Sequence, residues 1–544
     1  MLLALLIPTV ALAERPNILI IMAEDLSPRI GAFGDKVAVT PNIDALAQQG
    51  VRYTNVFTTA GVCSPSRAGH ILGQHQISTG TQHMRSSGGP NGGYVSVPPE
   101  HVKAYPELLR KAGYYTFNAN KTDYQFTPTF GNDGVNDAIW DVNKNGATWR
   151  DLPRDKPFFG MITLAVTHES GMFDPLGTWP QSIQHFVMQL VRYFSSSFGG
   201  DLPELTEQEK TNPKDIVLEP YYPDTPLVRR DIARHYDNIQ IMDKQVGQIL
   251  EQLEQDGLAD NTIVLWTTDH GDGLPRAKRE LFDSGLKAPM VIRWHNNMPA
   301  KAGSTDDRLI SYLDFAPTFL NIAKTELPKW LHGQDFTSSN REYIYASRDR
   351  IDAIPDRQRA VRSKQYKYIK SWQPQQPGGH PLEFRDNLAI MRELTTLHKQ
   401  GKLNDVQSQW LKPPGEERLF DVLADPYELN NLAAGESSQL VLAQMQTALS
   451  EWLEKVEDYS DMPELKQAEM FAPNGERLVT PLPLIKRVGS AIEITAQLNA
   501  SIVYRVNDAE RWSLYSRPLV LGDGDNLEAK AVRYGWLESD RINF

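Results

Sequence analysis

Asn17-Ile18-Leu19-Ile20-Ile21-Met22-Ala23-Glu24-Asp25 decides the fold. Ile18 to Ala23 is an unbroken apolar run, and it stops at two acids. A run this short with no alternation suits a strand buried on both faces, as in a parallel sheet covered by helices. Four further segments read alike: Tyr114 to Phe117, Phe158 to Val166, Thr262 to Thr267 and Pro289 to Trp294. Between them, Arg229 to Gln255 carries Ile232, Tyr236, Ile239, Met242, Val246, Ile249 and Leu253 at spacings of three and four, which predicts an amphipathic helix. Gly257 is its expected stop. Strands alternating with helices imply an α/β fold with a mostly parallel central sheet.

The pattern changes along the chain. Ser170 to Asp231 reads as irregular, rich in Pro, Gly and aromatics including Trp179, Phe186, Tyr193, Phe194, Tyr221 and Tyr222. It is either a surface excursion packed on itself or a wall of a binding cleft. Residues 14–340 are expected to form the main α/β domain, and 341–462 a smaller α+β subdomain with a strand at Tyr366 to Ile369. After Pro473, Pro481 and Pro483, short alternating segments such as Ala491 to Thr495 and Ala500 to Arg505 predict an Ig-like β-sandwich over residues 480–544.

With 544 residues the chain exceeds one compact core. Its net charge of -12 and pI of about 5.6 argue against nucleic acid, which needs a basic face. An anionic small substrate remains open, because a basic pocket can sit on an acidic body. Residues 1–13 are apolar and end in Ala11-Leu12-Ala13, the pattern of a cleaved signal peptide, so a periplasmic or secreted location is expected. No later run approaches the roughly 18 apolar residues of a membrane helix, and no stable membrane insertion is expected. The single cysteine, Cys63, excludes an intrachain disulfide.

Ligands of open parallel sheets bind beyond the carboxyl ends of the strands. The residues just past each apolar run are therefore informative: Glu24-Asp25, Asn120-Lys121, Thr167-His168-Glu169 and Thr268-Asp269-His270-Gly271. Singly these are polar loops. Together they gather carboxylates, imidazoles and an ammonium at one sheet edge. Glu24, Asp25 and Asp269 offer hard oxygen ligands that favour a divalent cation such as Ca²⁺ or Mg²⁺. Cys63-Ser64-Pro65-Ser66-Arg67 precedes a predicted helix, which would place the Cys63 side chain at a helix N-terminus with Arg67 one turn on.

Cys63-x-Pro65-Ser66-Arg67 resembles the signature of type I sulfatases, in which the cysteine is oxidised to formylglycine. Thr40 to Ala47, Asn261 to Gly271, Asp314 to Thr318 and Leu419-Phe420-Asp421 to Ala433 resemble further landmarks of that family, in the same order, so the likeness covers about residues 15–460. It implies the alkaline-phosphatase-like fold. It also implies Cys63, as formylglycine hydrate, for the nucleophile, and a calcium ion held by Glu24, Asp25, Asp269, His270 and the residue made from Cys63. Arg67, Lys121 and Lys278 would hold sulfate and hydrate, and His168 would protonate the leaving oxygen. A maturase that makes formylglycine is an implied partner. The chain departs from the family pattern at Glu24, at His270, and at Asp123-Tyr124, where many members carry a histidine.

Tyr222 to Asp231 resembles the glycan branch that includes the heparan N-sulfatase. The expected activity is removal of O-sulfate from a saccharide such as carrageenan, ulvan or glycosaminoglycan fragments. Cleavage of N-sulfoglucosamine, and sulfated-glycan binding without catalysis, are the alternatives.

Overall fold

The computed structural model describes residues 15–128, 133–175, 177–194, 205–295 and 300–544, with side chains to residue 191 in the third of these. The signal-peptide expectation, and the side chains of Tyr193 and Phe194, fall outside them.

The central sheet has eight strands: β1 (Asn17–Ala23), β2 (Val51–Phe57), β3 (Tyr115–Ala119), β4 (Val142–Lys144), β5 (Phe158–Leu164), β6 (Thr262–Thr268), β7 (Lys287–Arg293) and β8 (Thr305–Ser311). Their spatial order is β4-β3-β5-β1-β6-β7-β2-β8. All neighbours are parallel except at β7, which runs antiparallel to both β6 and β2. In β1, Ile18, Ile20 and Met22 enter one core while Leu19, Ile21 and Ala23 enter the other. Two-sided burial is why this strand shows no alternation.

The first six helices are α1 (Pro41–Gln49), α2 (Cys63–Leu72), α3 (Tyr105–Lys111), α4 (Val135–Ile139), α5 (Ile183–Phe194) and α6 (Pro226–Gln255). Helix α6 begins three residues before the expected Arg229. Thr225 caps it, its Oγ1 accepting from Val228 N–H at 3.2 Å, and Pro226 occupies its first turn. Gly257, at φ 68°, follows its end as expected. α1 and α6 cover the Leu19 face, whereas α2, α3 and the helix Phe315–Ile322 cover the Ile18 face.

The stretch expected to be irregular contains α5, whose Ile183, Phe186 and Val187 are exposed. Tyr221 and Tyr222 are instead buried, and Tyr222 Oη donates to Pro275 O at 2.6 Å. A second sheet, antiparallel in the order β12-β11-β10-β9, comprises β9 (Ile344–Arg348), β10 (Gln358–Arg362), β11 (Tyr366–Ser371) and β12 (Glu417–Asp421).

The last strands are β13 (Leu484–Val488), β14 (Ala491–Thr495), β15 (Ser501–Val506), β16 (Ser513–Leu514), β17 (Leu527–Val532) and β18 (Ile542–Asn543). They make a two-stranded and a four-stranded antiparallel sheet that share a small core of Ile492, Ile494, Ile502, Leu527 and Ala529. Val503, Val532 and Tyr534 extend instead into the main core beside Tyr105 and Phe126.

Candidate active site

The sheet order sets β3, β5, β1 and β6 side by side, so the loops after these four strands meet. At the end of β1 the chain turns through Asp25 in the left-handed region (φ 48°). Asn120, Asp123 and Arg279 also have positive φ, so backbone conformations costly for L-residues gather here. The turn aims the Asp25 carboxylate inward. Its Oδ2 accepts from Lys278 Nζ (2.6 Å) and Glu169 N–H (2.7 Å), and its Oδ1 lies 3.1 Å from His270 Nε2. Burial alone would raise its pKa, but Lys278, His168 and His270 hold it well below the usual range.

Cys63 is the first residue of α2 and is 1% exposed. Its Sγ lies 3.3 Å from His270 Nε2 and 3.8 Å from Asp25 Oδ1. Burial pushes the thiol up, yet Lys121 and Lys278 outweigh it and bring it down to about 6. One turn on, Arg67 is buried; it donates through Nε to Asp269 Oδ2 (3.1 Å), through Nη1 to Thr163 Oγ1 (3.2 Å) and through Nη2 to Glu24 Oε1 (3.1 Å). Ser66 Oγ donates to Asp269 O at 2.6 Å, tying α2 to the loop after β6.

Donor atoms of Asp25, Cys63, Asp269 and His270, all buried, lie within 4.8 Å of one another. The acidic donors suit a hard divalent cation. His270 Nδ1 donates to Gly271 O at 2.9 Å, which turns Nε2 towards the cluster. Burial lowers the His270 pKa, but Asp269, Cys63 and Asp25 more than reverse this and raise it to about 10. A proton or a metal ion at Nε2 would answer the same carboxylates. Glu24 stands outside the group of four: its Oε1 accepts from Lys121 Nζ (2.6 Å) and Arg67.

Lys278 Nζ sits 3.2 Å from Glu169 Oε1 and 3.3 Å from His168 Nε2. On the other side of the ring, His168 Nδ1 lies 2.9 Å from Ser170 Oγ and 3.3 Å from Ser170 N, which points Nε2 at Lys278. His168 and Lys278 line a cavity of about 470 Å³, whose walls include Arg85, Gln184 and Phe384. Every residue expected from the sequence therefore reaches one site.

Residues 16–325, more than half of the chain, match the sulfatase family profile, and 276–412 match the profile of the N-sulphoglucosamine sulphohydrolase C-terminal region. The chain belongs to the sulfatase family. An ulvan-active sulfatase of Formosa agariphila is 38% identical over 98% of this chain and 91% of its own. The N-sulphoglucosamine sulphohydrolase of Homo sapiens is 24% identical over 81% of this chain and 90% of its own. A crystal structure of a putative sulfatase from Bacteroides thetaiotaomicron shares the fold at TM-score 0.56 and 20% identity, covering 83% of this chain and 95% of that one.

The sulfatase site also holds groups to which sequence reading assigned no role. Glu169 forms a two-pronged pair with Arg279 (2.7 and 2.9 Å). Both neighbour an expected residue, His168 or Lys278, and Glu169 also closes the strand-end group Thr167-His168-Glu169. The Asp123 side chain is 8% exposed, pairs with Arg85 and lies 3.5 Å from Lys121 Nζ; Arg85 also donates to Ser64 Oγ at 3.2 Å. No strand end announces Arg85. Tyr124 is in the core, stacked on Phe126.

Proposed function

We propose that this sulfatase removes O-sulfate from a sulfated poly- or oligosaccharide, with carrageenan, ulvan and glycosaminoglycan fragments as the candidate class. The observation that carries the reading is the seating of Cys63 at the start of α2, against Asp25 and His270 and flanked by Lys121 and Lys278. Conversion of Cys63 by a maturase would supply a formylglycine hydrate, with one hydroxyl to attack sulfur and a second whose deprotonation releases sulfate. Asp25, Asp269 and His270 would hold a calcium ion that supplies Lewis-acid charge. Glu24 would act from outside, holding Lys121 and Arg67.

The side chains fit that assignment electrostatically. Arg67, Arg85, Lys121, Lys278 and Arg279 are paired with Glu24, Asp25, Asp123, Glu169 and Asp269, so charged groups nearly cancel. A dication would restore the positive surplus that a sulfate ester needs. Lys121 and Lys278 orient the sulfate oxygens, and His168 would protonate the departing sugar oxygen. The location we propose is periplasmic or secreted; among the described residues no helix is long and apolar enough to cross a membrane.

The test is mass spectrometry of the Cys63 peptide from protein made in its own host, paired with sulfate release from a panel of sulfated saccharides. A thiol converted to aldehyde, release from an O-sulfated sugar, and no release by Cys63→Ser are expected. An unconverted thiol after maturase co-expression, with saccharide binding intact, would favour the binding protein instead. The match of residues 276–412 to the N-sulphoglucosamine sulphohydrolase C-terminal profile favours N-sulfate cleavage as the second reading. Release from N-sulfoglucosamine but from no O-sulfated sugar would select it.

A further inference from the structure

The loop that carries Lys278 and Arg279 also walls a separate chamber of about 200 Å³, bounded by Arg276, Phe282, Trp410, Lys412 and Arg418. Arg276 is 4% exposed and Arg418 is 9% exposed. Among the described residues, neither guanidinium has a carboxylate within ion-pair distance. Arg276 Nη2 donates to the backbone oxygens of Tyr427 (2.8 Å) and Glu428 (2.9 Å). Arg418 Nη2 donates to Gln358 Oε1 (2.7 Å), and its buried Nε has no hydrogen-bond partner. The Phe282 ring centre is 4.1 Å from the guanidinium carbon of Arg276 and 5.4 Å from that of Arg418.

Nearby acids, Glu280, Asp356 and Glu428, offset the burial of Arg418 only in part. Glu280 is taken by Arg348 at 2.7 Å and Glu428 by Lys367 at 2.7 Å. Burial lowers the pKa of Arg418, as expected where lost hydration is not fully repaid by a counter-charge. A guanidinium removed from water without an anion is costly. Two of them on one chamber, with the exposed Lys412 also in its lining, make a place where an anion would recover that cost. The chamber has room for such a group, since a single water claims only about 30 Å³.

We infer that this chamber is a second oxoanion-binding site, distinct from the Cys63 centre, built on Arg276 and Arg418 and taking a sulfate or carboxylate group. The planar donor fork of arginine matches both geometries. The group can arrive as the free ion or on a saccharide, and the inference does not depend on the reaction assigned to Cys63.

Crystals of the full chain soaked in selenate, a heavy isostere of sulfate, locate the ion by anomalous scattering. A peak between Arg276 and Arg418, in addition to any peak at Cys63, supports the inference. Calorimetric titration with inorganic sulfate and with a sulfated disaccharide should show a chamber phase weakened about tenfold in Arg418→Gln, equivalent to about 1.4 kcal/mol. If that variant folds poorly, Lys412→Ala at the exposed position should weaken the same phase about two- to fivefold. Loss of disaccharide binding alone, with no selenate peak, supports a saccharide-borne group. Selenate confined to the Cys63 centre, with both ligands bound unchanged by the variants, would overturn the inference.

Discussion

At the residue scale the sharpest consequence concerns Cys63. It is the sole thiol, so the ultraviolet absorbance of its thiolate can be titrated without interference. Burial opposes ionisation and the ammonium groups of Lys121 and Lys278 favour it, leaving a value of about 6. Unconverted protein, free of metal, should therefore carry thiolate at neutral pH and lose it as pH falls through 6. Lys278→Ala removes one of the two favourable charges, so the midpoint should rise. If Lys278 holds the sulfate oxygens as proposed, the same substitution in formylglycine-bearing enzyme should lower kcat/KM by about 10²- to 10³-fold. His168→Ala should cost about 10²- to 10⁴-fold on a sugar sulfate and much less on an aryl sulfate, whose leaving group needs little protonation. Legibility at this scale followed locality. Cys63, Arg67 and Asp269 sit in short motifs that name them. Arg85 and the Glu169–Arg279 pair depend on partners distant in sequence, and no spacing reveals them.

At the element scale, strands buried on both faces were legible and half-polar ones were not. β1, β5 and β6 are buried along their whole length and mostly apolar. β2 interleaves Arg52, Thr54 and Asn55 with its apolar residues, and β8 opens with Thr305, Asp306 and Asp307, so neither stood out. β7 runs antiparallel to β6, and the helix in their connection, Asp283–Leu286, has only 4 residues, too few to carry a parallel crossover. That connection must fold back tightly, and Gly271 shows how tightly. A Cβ there would lie 1.9 Å from Ser284 O, a backbone atom that cannot swing aside. Gly271→Ala should destabilise by about 1–3 kcal/mol, visible as a lower unfolding midpoint. Because His270 Nδ1 bonds the oxygen of Gly271, the variant should also weaken the proposed calcium binding, measured by calorimetry.

At the scale of the whole molecule, composition and alternation announced the C-terminal strands but not how they attach. The attachment is polar and buried. Glu107 of α3 accepts from Ser501 Oγ (2.8 Å) and Tyr534 Oη (2.6 Å), and pairs with Lys111 at 2.9 Å. Lys103 Nζ donates to Asn499 O (2.6 Å) and Ser501 Oγ (3.0 Å), while the Tyr534 ring stacks on Phe126. Removing residues 484–544 would strip these partners from buried Glu107 and Lys103, and would expose Phe126. Such a truncation should aggregate rather than yield a smaller active enzyme. The same contact predicts a pH dependence with a definite sign. Burial tends to raise the pKa of Glu107, but Lys111, Lys103 and the Tyr534 hydroxyl bring it down to about 2, from a reference of 4.5. The folded state then binds its proton less readily than the unfolded chain. The resulting stability is complete above pH 4.5 and is lost as pH falls towards 2. Glu107→Gln should remove roughly 1–3 kcal/mol of stability near neutrality and flatten its dependence on pH between 4.5 and 2. Denaturant unfolding of both proteins across that interval measures the difference, and equal slopes would show that Glu107 is not the acid-sensitive joint.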